Sequence, residues 1–171
     1  EVVTVSGVQT LNPTDSDDRE ELVGAIAEAS ELGTALPSFH LYDSPPAAVA
    51  RLLAEGLTRK SKRPEFPPAV VYAAENDSRA ATRLEALCWD HAPAGFGDKT
   101  IFSETVIPKM CTVVQNPGRI EADGLIPMFP GANRALLVEA YDRILIEDHV
   151  PVGFKRGFSS FVTKRQLDPF A

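Results

Sequence analysis

Residues 70–81 read VVYAAENDSRAA, an apolar run that stops abruptly on three polar residues. The run begins at Ala69 and is continuous, which is typical of a strand whose two faces are both covered. Glu75, Asn76 and Asp77 follow it, and apolar residues at helical spacing begin directly after them. A buried strand that leads straight into a helix predicts a parallel α/β unit.

The same alternation of strands and helices extends upstream of this stretch. A helix over residues 16–30, a buried strand over 32–36 and a helix that opens at 44–46 precede the apolar run. Asn76 or Asp77 is predicted to cap the third helix. The alternation predicts an α/β fold with a partial Rossmann-type parallel sheet and right-handed crossovers.

Beyond residue 93 the alternation ends. The predicted elements there are short strands and one loop: strands over 100–107, 111–114 and 135–146, and a loop rich in glycine and proline over 115–132. The spacing of the segment 135–146 also fits a helix, but its β-branched residues favour a strand. We therefore predict the C-terminal part of a dinucleotide-binding domain over 1–105 and the beginning of a substrate domain over 106–171.

The charge balance excludes several classes of protein. A net charge of -7 and a pI near 5.0 argue against an electrostatic nucleic-acid binder. The basic run at 59–63, RKSKR, is short, and a solvated loop in a linker is favoured over a binding surface. No apolar run is long enough to span a membrane, so the sequence predicts no membrane partner.

Cysteines, histidines and glycines give no metal or phosphate motif. Cys88 and Cys111 lack metal-ligand spacing and fit a reducing cytoplasm, and the three histidines form no paired-ligand pattern, so no metal is predicted. None of the eleven glycines provides a GxGxxG turn after a strand. If the α/β half binds a dinucleotide, its phosphate-binding unit is expected upstream of Glu1.

Asn76 is the residue of the opening stretch with a candidate ligand role. In an open α/β sheet, ligands bind beyond the carboxyl ends of the strands. Thr34, Ala35, Leu36 and Pro37 end the preceding strand at the same edge, so both strand ends are expected to line one crevice. Helix capping needs only one Asn or Asp, although capping alone remains the alternative explanation.

Five segments carry a family likeness, and their order along the chain is part of it: TALPSFHLYDSPPAAVARLLAEGL (34–57), AVVYAAENDSRAATRLE (69–85), IFSETVIPKM (101–110), LLVEAYDRILIED (136–148) and LDPFA (167–171). Together they resemble the long-chain mannitol dehydrogenase family, which includes mannitol-1-phosphate 5-dehydrogenases. The resemblance covers most of the chain. It implies an NAD- or NADP-dependent, metal-free oxidoreductase that acts on a polyol or ketose, or on its phosphate.

The resemblance also implies residue roles. Asn76 matches the family's Asn beside the nicotinamide and the substrate, and the segment 34–37 matches the strand end near the cofactor ribose. Pro108 and Lys109 stand where the family often has Asp and Arg, so Lys109 is a candidate catalytic contact and the substrate preference is not implied. The family's catalytic Lys, Asn and His are expected after residue 171, so residues 1–171 alone are expected to be inactive.

Two alternatives remain open at this point. The first is a different Rossmann-type oxidoreductase, or a sugar-nucleotide enzyme, that shares only the α/β half. The second is a non-catalytic α/β module that binds a ligand or another protein. The sequence predicts a small-molecule partner in the favoured case and does not set the oligomeric state.

Overall fold

The computed structural model describes residues 6–92, 94–107, 111–140, 143–158 and 161–164. Within these ranges the elements follow in the order α1 (Ser16–Glu28), β1 (Glu31–Thr34), a 3-10 helix (Phe39–Leu41), α2 (Val49–Ser61), β2 (Ala69–Ala73), α3 (Ala80–His91), β3 (Thr100–Val106), β4 (Cys111–Val114), α4 (Pro117–Ala122), β5 (Ala135–Val138), β6 (Ile144–Glu147) and β7 (Phe161–Lys164).

A five-stranded sheet forms the centre of the fold, with the strand order β1-β2-β3-β6-β7. β1, β2 and β3 are parallel and adjacent in chain order; Val71 of β2 pairs with Leu32 on one side and Phe102 on the other. β6 runs antiparallel to β3, and β7 is parallel to β6. The prediction of a mixed α/β fold with a mostly parallel, partial Rossmann-like sheet is confirmed.

β2 is buried along its whole length, as its continuous apolar run predicts. Val71 and Ala73 join the core formed with the helices, while Val70 and Tyr72 point to the other face of the sheet and pack with Ile146. Because alternate side chains of a strand point to opposite faces, a strand covered on both sides needs no polar position. This explains why the polar residues appear only where the strand ends.

Lys60 is fully buried and connects two loops at the amino end of the sheet. Its Nζ atom donates hydrogen bonds to the carbonyl oxygens of Ala29, at 2.7 Å, and Pro67, at 2.9 Å. Burial, with a smaller contribution from the charge of Lys99, lowers the pKa of Lys60 to about 8. The prediction that residues 59–63 form a linker loop is wrong for the first three, which complete α2.

Two predictions beyond residue 114 are corrected by the structure. Part of the predicted loop forms α4, in which the Asn116 side chain accepts a hydrogen bond from the Arg119 N–H and Pro117 occupies the first turn. This Asn-Pro pair is a helix-start signal. The segment 135–146 is not one strand, because β5 pairs with β4 in a separate two-stranded sheet whereas β6 joins the main sheet.

The main sheet includes β6, which lies beyond residue 106. The proposed division of the chain into domains 1–105 and 106–171 stays a prediction. Within the described ranges, none of the helices has the length and apolar character needed to cross a membrane.

Candidate functional site

Glu75 is a buried carboxylate at the carboxyl end of β2, with 4% of its surface exposed. The Thr34 hydroxyl donates a hydrogen bond to its Oε2 atom at 2.9 Å, and the Leu36 N–H donates to Oε1 at 2.8 Å. The Tyr42 hydroxyl also donates to Oε2. Glu75 therefore ties the segment after β1, and the segment before α2, to the end of β2.

Tyr42 acts as a permanent hydrogen-bond donor in this cluster. It is fully buried, and burial together with the neighbouring Glu75 carboxylate raises the pKa of Tyr42 far above its ordinary value. A buried carboxylate is costly unless donors surround it. The three donors to Glu75 meet that need, so the first polar residue after the strand has a structural role.

Asp77 organises the turn before α3 rather than the helix itself. Its Oδ1 atom accepts hydrogen bonds from the Arg79 N–H at 2.9 Å and from Nε of Arg83 at 3.2 Å. The Arg79 N–H, and then the Arg83 guanidinium, lower the pKa of Asp77. Since Arg79 occupies the N-cap position of α3 without a side-chain bond, the prediction that Asn76 or Asp77 caps this helix is wrong.

The cap of α3 comes from Glu104 of the neighbouring strand β3. The N–H groups of Ala81 and Thr82 each donate to its carboxylate at 3.1 Å, and the Thr82 hydroxyl donates at 3.2 Å. A carboxylate at this end of a helix satisfies free N–H groups and complements the helix dipole. Sequence reasoning missed Glu104, although a charged residue inside an apolar strand was an available signal.

The predicted site residues lie at one edge of the sheet, but in different environments. Thr34 pairs with Ala73, and its carbonyl accepts from the Ala74 N–H at 3.0 Å, which places both strand ends side by side. Thr34 is buried in the Glu75 cluster, whereas Ala35, Pro37 and Asn76 are exposed.

Asn76 is therefore the polar side chain of this set that faces solvent. It follows directly on buried Glu75, and no hydrogen bond of its side chain is found among the described residues. Lys109 and its neighbour Pro108 lie outside the described residues, as does the LDPFA segment. The ligand roles of all these residues stay predictions.

In the described part of the chain, no three His, Cys, Asp or Glu side chains form a cluster that could hold a metal ion. Glu75 and Glu104 lie near each other along the sheet edge, but each is surrounded by donors of the chain itself. Their carboxylate oxygens therefore stabilise the fold.

Comparison with models of known protein families and with curated proteins finds no match for this chain. The fold therefore defines the class that can be stated: a mixed α/β protein with a Rossmann-like, mostly parallel sheet. The similarity to mannitol dehydrogenases stays an expectation from the residues.

Proposed function

We propose that this chain forms part of an NAD- or NADP-dependent oxidoreductase of polyols or polyol phosphates, located in the cytoplasm. The nicotinamide and the substrate would meet at the carboxyl edge of β1 and β2. The observation that carries the proposal is the exposed Asn76 side chain, held on a strand end that the buried Glu75 cluster fixes in place.

A rigid strand end is a suitable base for a substrate contact. Binding sites are precise when the residues that support them are locked by packing and hydrogen bonds. The Asn76 amide can both donate and accept, so it can hold an alcohol in one state and a carbonyl in the other. Hydride transfer interconverts those two groups, and the nicotinamide supplies that chemistry when it is bound.

The N-terminus of α3 is unsuited to the phosphates of a dinucleotide. Its N–H groups already donate to the Glu104 carboxylate, which would repel a phosphate. In this proposal the cofactor phosphates bind elsewhere, in agreement with the absence of a GxGxxG turn from the sequence.

The test uses the protein as its gene encodes it. Oxidation of NADH and NADPH is measured with a panel of ketoses and ketose phosphates, for the wild type and for Asn76→Ala. Loss of one contact that stabilises the transition state lowers kcat by about 10²-fold or more. Ser78→Ala is the matched control, because Ser78 is an exposed residue of the same turn; its kcat should stay within about twofold of the wild type.

Two results would overturn the proposal at different levels. Full activity of Asn76→Ala would remove Asn76 from the substrate site while leaving the oxidoreductase activity in place. Absence of cofactor oxidation with every ketose and ketose phosphate would remove the activity itself.

A further inference from the structure

A groove of about 600 Å³ is lined by residues of α2, of the segment just after it and of the end of α3, and none of its lining residues belongs to the sheet. Its rim carries four cationic side chains, Arg51, Arg59, Lys62 and Arg63, and one carboxylate, Glu55. Cavities of roughly 300–1,000 Å³ are typical of small-molecule sites. A cluster of four cations is unexpected in a chain whose net charge is -7.

The floor of the groove is small and apolar. Ala54 of α2 and Ala92, which follows α3, contribute to it and are 1% and 5% exposed. Short side chains on the floor and long cationic ones at the rim leave a channel with positive charge around its opening. This shape admits an anion between the cations.

Ion pairs within the chain compensate only part of this charge. Four pairs involve groove residues: Glu55 with Arg19 at 2.6 Å, Arg59 with Glu20 at 2.8 Å, Arg63 with Glu65 at 3.3 Å and, as a hydrogen-bonded pair, His91 with Asp43 at 2.7 Å. The single carboxylate of the groove is thus engaged by an arginine outside it. In the described part of the chain, Arg51 and Lys62 take part in no ion pair.

Stabilisation of α2 explains some of these cations but not Arg51. Positive charge near the C-terminus of a helix is favourable, which accounts for Arg59 and Lys62. Arg51 lies in the first turn of α2, where the helix dipole disfavours a cation. Arg51 is exposed at the groove, so its charge is available to an anion there.

We propose that this groove binds a compact polyphosphate chain, either inorganic or at the end of a nucleotide. Arg51 and Lys62 are eleven positions apart, about 16 Å along the helix axis, and their long side chains reduce that separation. A single phosphate is too small to reach both ends. Guanidinium groups bind phosphate oxygens with paired hydrogen bonds, and Arg51 is the groove arginine that forms no ion pair in the described part of the chain.

This site is separate from the proposed catalytic one. Asn76 and the ends of β1 and β2 lie at the carboxyl edge of the sheet, whereas the groove lies on the helical layer. Failure of either proposal therefore leaves the other untouched.

The test is calorimetric titration of the chain with sodium tripolyphosphate at low salt and at about 0.15 M salt. Saturable binding is expected, weaker at the higher salt. The double variant Arg51→Gln/Lys62→Gln should raise the Kd by at least about tenfold. The matched control, Arg134→Gln/Lys155→Gln, removes the same charge from exposed residues outside the groove and should change the Kd less than about twofold.

Titrations with a nucleoside triphosphate and with citrate test which chemical class of anion the groove binds. A nucleoside triphosphate that binds more tightly than tripolyphosphate would support a nucleotide as the source of the phosphates, and equal affinity would support the phosphate chain alone. The proposal is overturned if tripolyphosphate gives no saturable heat at low salt. It is also overturned if citrate binds equally well, or if the control variant weakens binding as much as the groove variant.

Discussion

The two edges of the parallel sheet are stabilised by side chains of opposite charge, carboxylates at one edge and lysines at the other. At the carboxyl edge the carboxylates of Glu75 and Glu104 accept from N–H and hydroxyl groups. At the amino edge Lys60 and Lys99 donate to the carbonyl oxygens of loops, with Lys99 reaching three carbonyls between residues 63 and 66 at 2.9–3.1 Å.

The direction of the helices explains the contacts of Glu104 with α3 and the bond from Lys60 to the carbonyl of Ala29, the C-cap of α1. In a parallel α/β unit the helices begin at the carboxyl edge, where their free N–H groups lie, and end at the amino edge, where their free carbonyls lie. Carboxylates suit the first set and lysines suit the second. Charged residues at a strand end are therefore not by themselves signs of a ligand site, and the exposed Asn76 is the better candidate.

Substitution of Glu75 should cause the largest loss of stability at the carboxyl edge of the sheet. Glu75→Ala leaves the buried donors Thr34 and Tyr42 without their acceptor, so we expect a loss of about 3–5 kcal/mol in the free energy of unfolding. Urea denaturation measures it. Glu121→Ala, at an exposed position of α4, should stay within about 0.5 kcal/mol of the wild type. A loss below about 1 kcal/mol for Glu75→Ala would contradict the structural role given to this carboxylate.

Glu104 should show a smaller effect, confined to α3. Glu104→Ala removes the acceptor of two first-turn N–H groups, and we expect a loss of about 1–2 kcal/mol in the free energy of unfolding. Asp90→Ala removes the same charge from the last turn of α3, where an acid is unfavourable, and should cause no loss. Equal losses in the two variants would show that the position of the charge does not matter.

Lys60 should give the amino edge a distinctive pH dependence. Its pKa in the folded chain is about 8, below the ordinary value of 10.5. Between these values the unfolded chain binds more protons, so the free energy of unfolding should rise with pH, by at most about 1.4 kcal/mol per unit. Denaturation of the wild type and of Lys60→Met from pH 7 to 10 tests this. A difference between them that does not change with pH would contradict the lowered pKa.

The sequence predicted those features of the fold that depend on residues close together in the chain. The continuous apolar run gave β2 and its burial on both faces, and the alternation with amphipathic segments gave the parallel order of β1, β2 and β3. The start of α4 also depends on adjacent residues. Asn116 and Pro117 are a helix-start signal, although the glycine and proline content of the segment 115–132 favoured a loop.

Long-range pairing was not predictable from local patterns. The donors to Glu75 and Glu104 come from segments distant in the chain, and only the strand register brings them together. The groove on α2 likewise depends on how α3 ends beside that helix, which the basic run alone did not reveal. For the same reason, the sequence predicted that the candidate site residues lie at the carboxyl edge of the sheet. It did not show which of them are buried in hydrogen-bond clusters and which are exposed, because that depends on the fold.

The most direct test of the proposed site pairs activity with stability for Asn76→Ala. Since the Asn76 side chain is exposed, the free energy of unfolding of the Asn76→Ala variant should stay within about 0.5 kcal/mol of the wild-type value. Ketose-dependent oxidation of the reduced nicotinamide cofactor should nevertheless fall by about 10²-fold or more. Unchanged stability together with unchanged turnover would contradict the placement of the substrate at the carboxyl edge of β2.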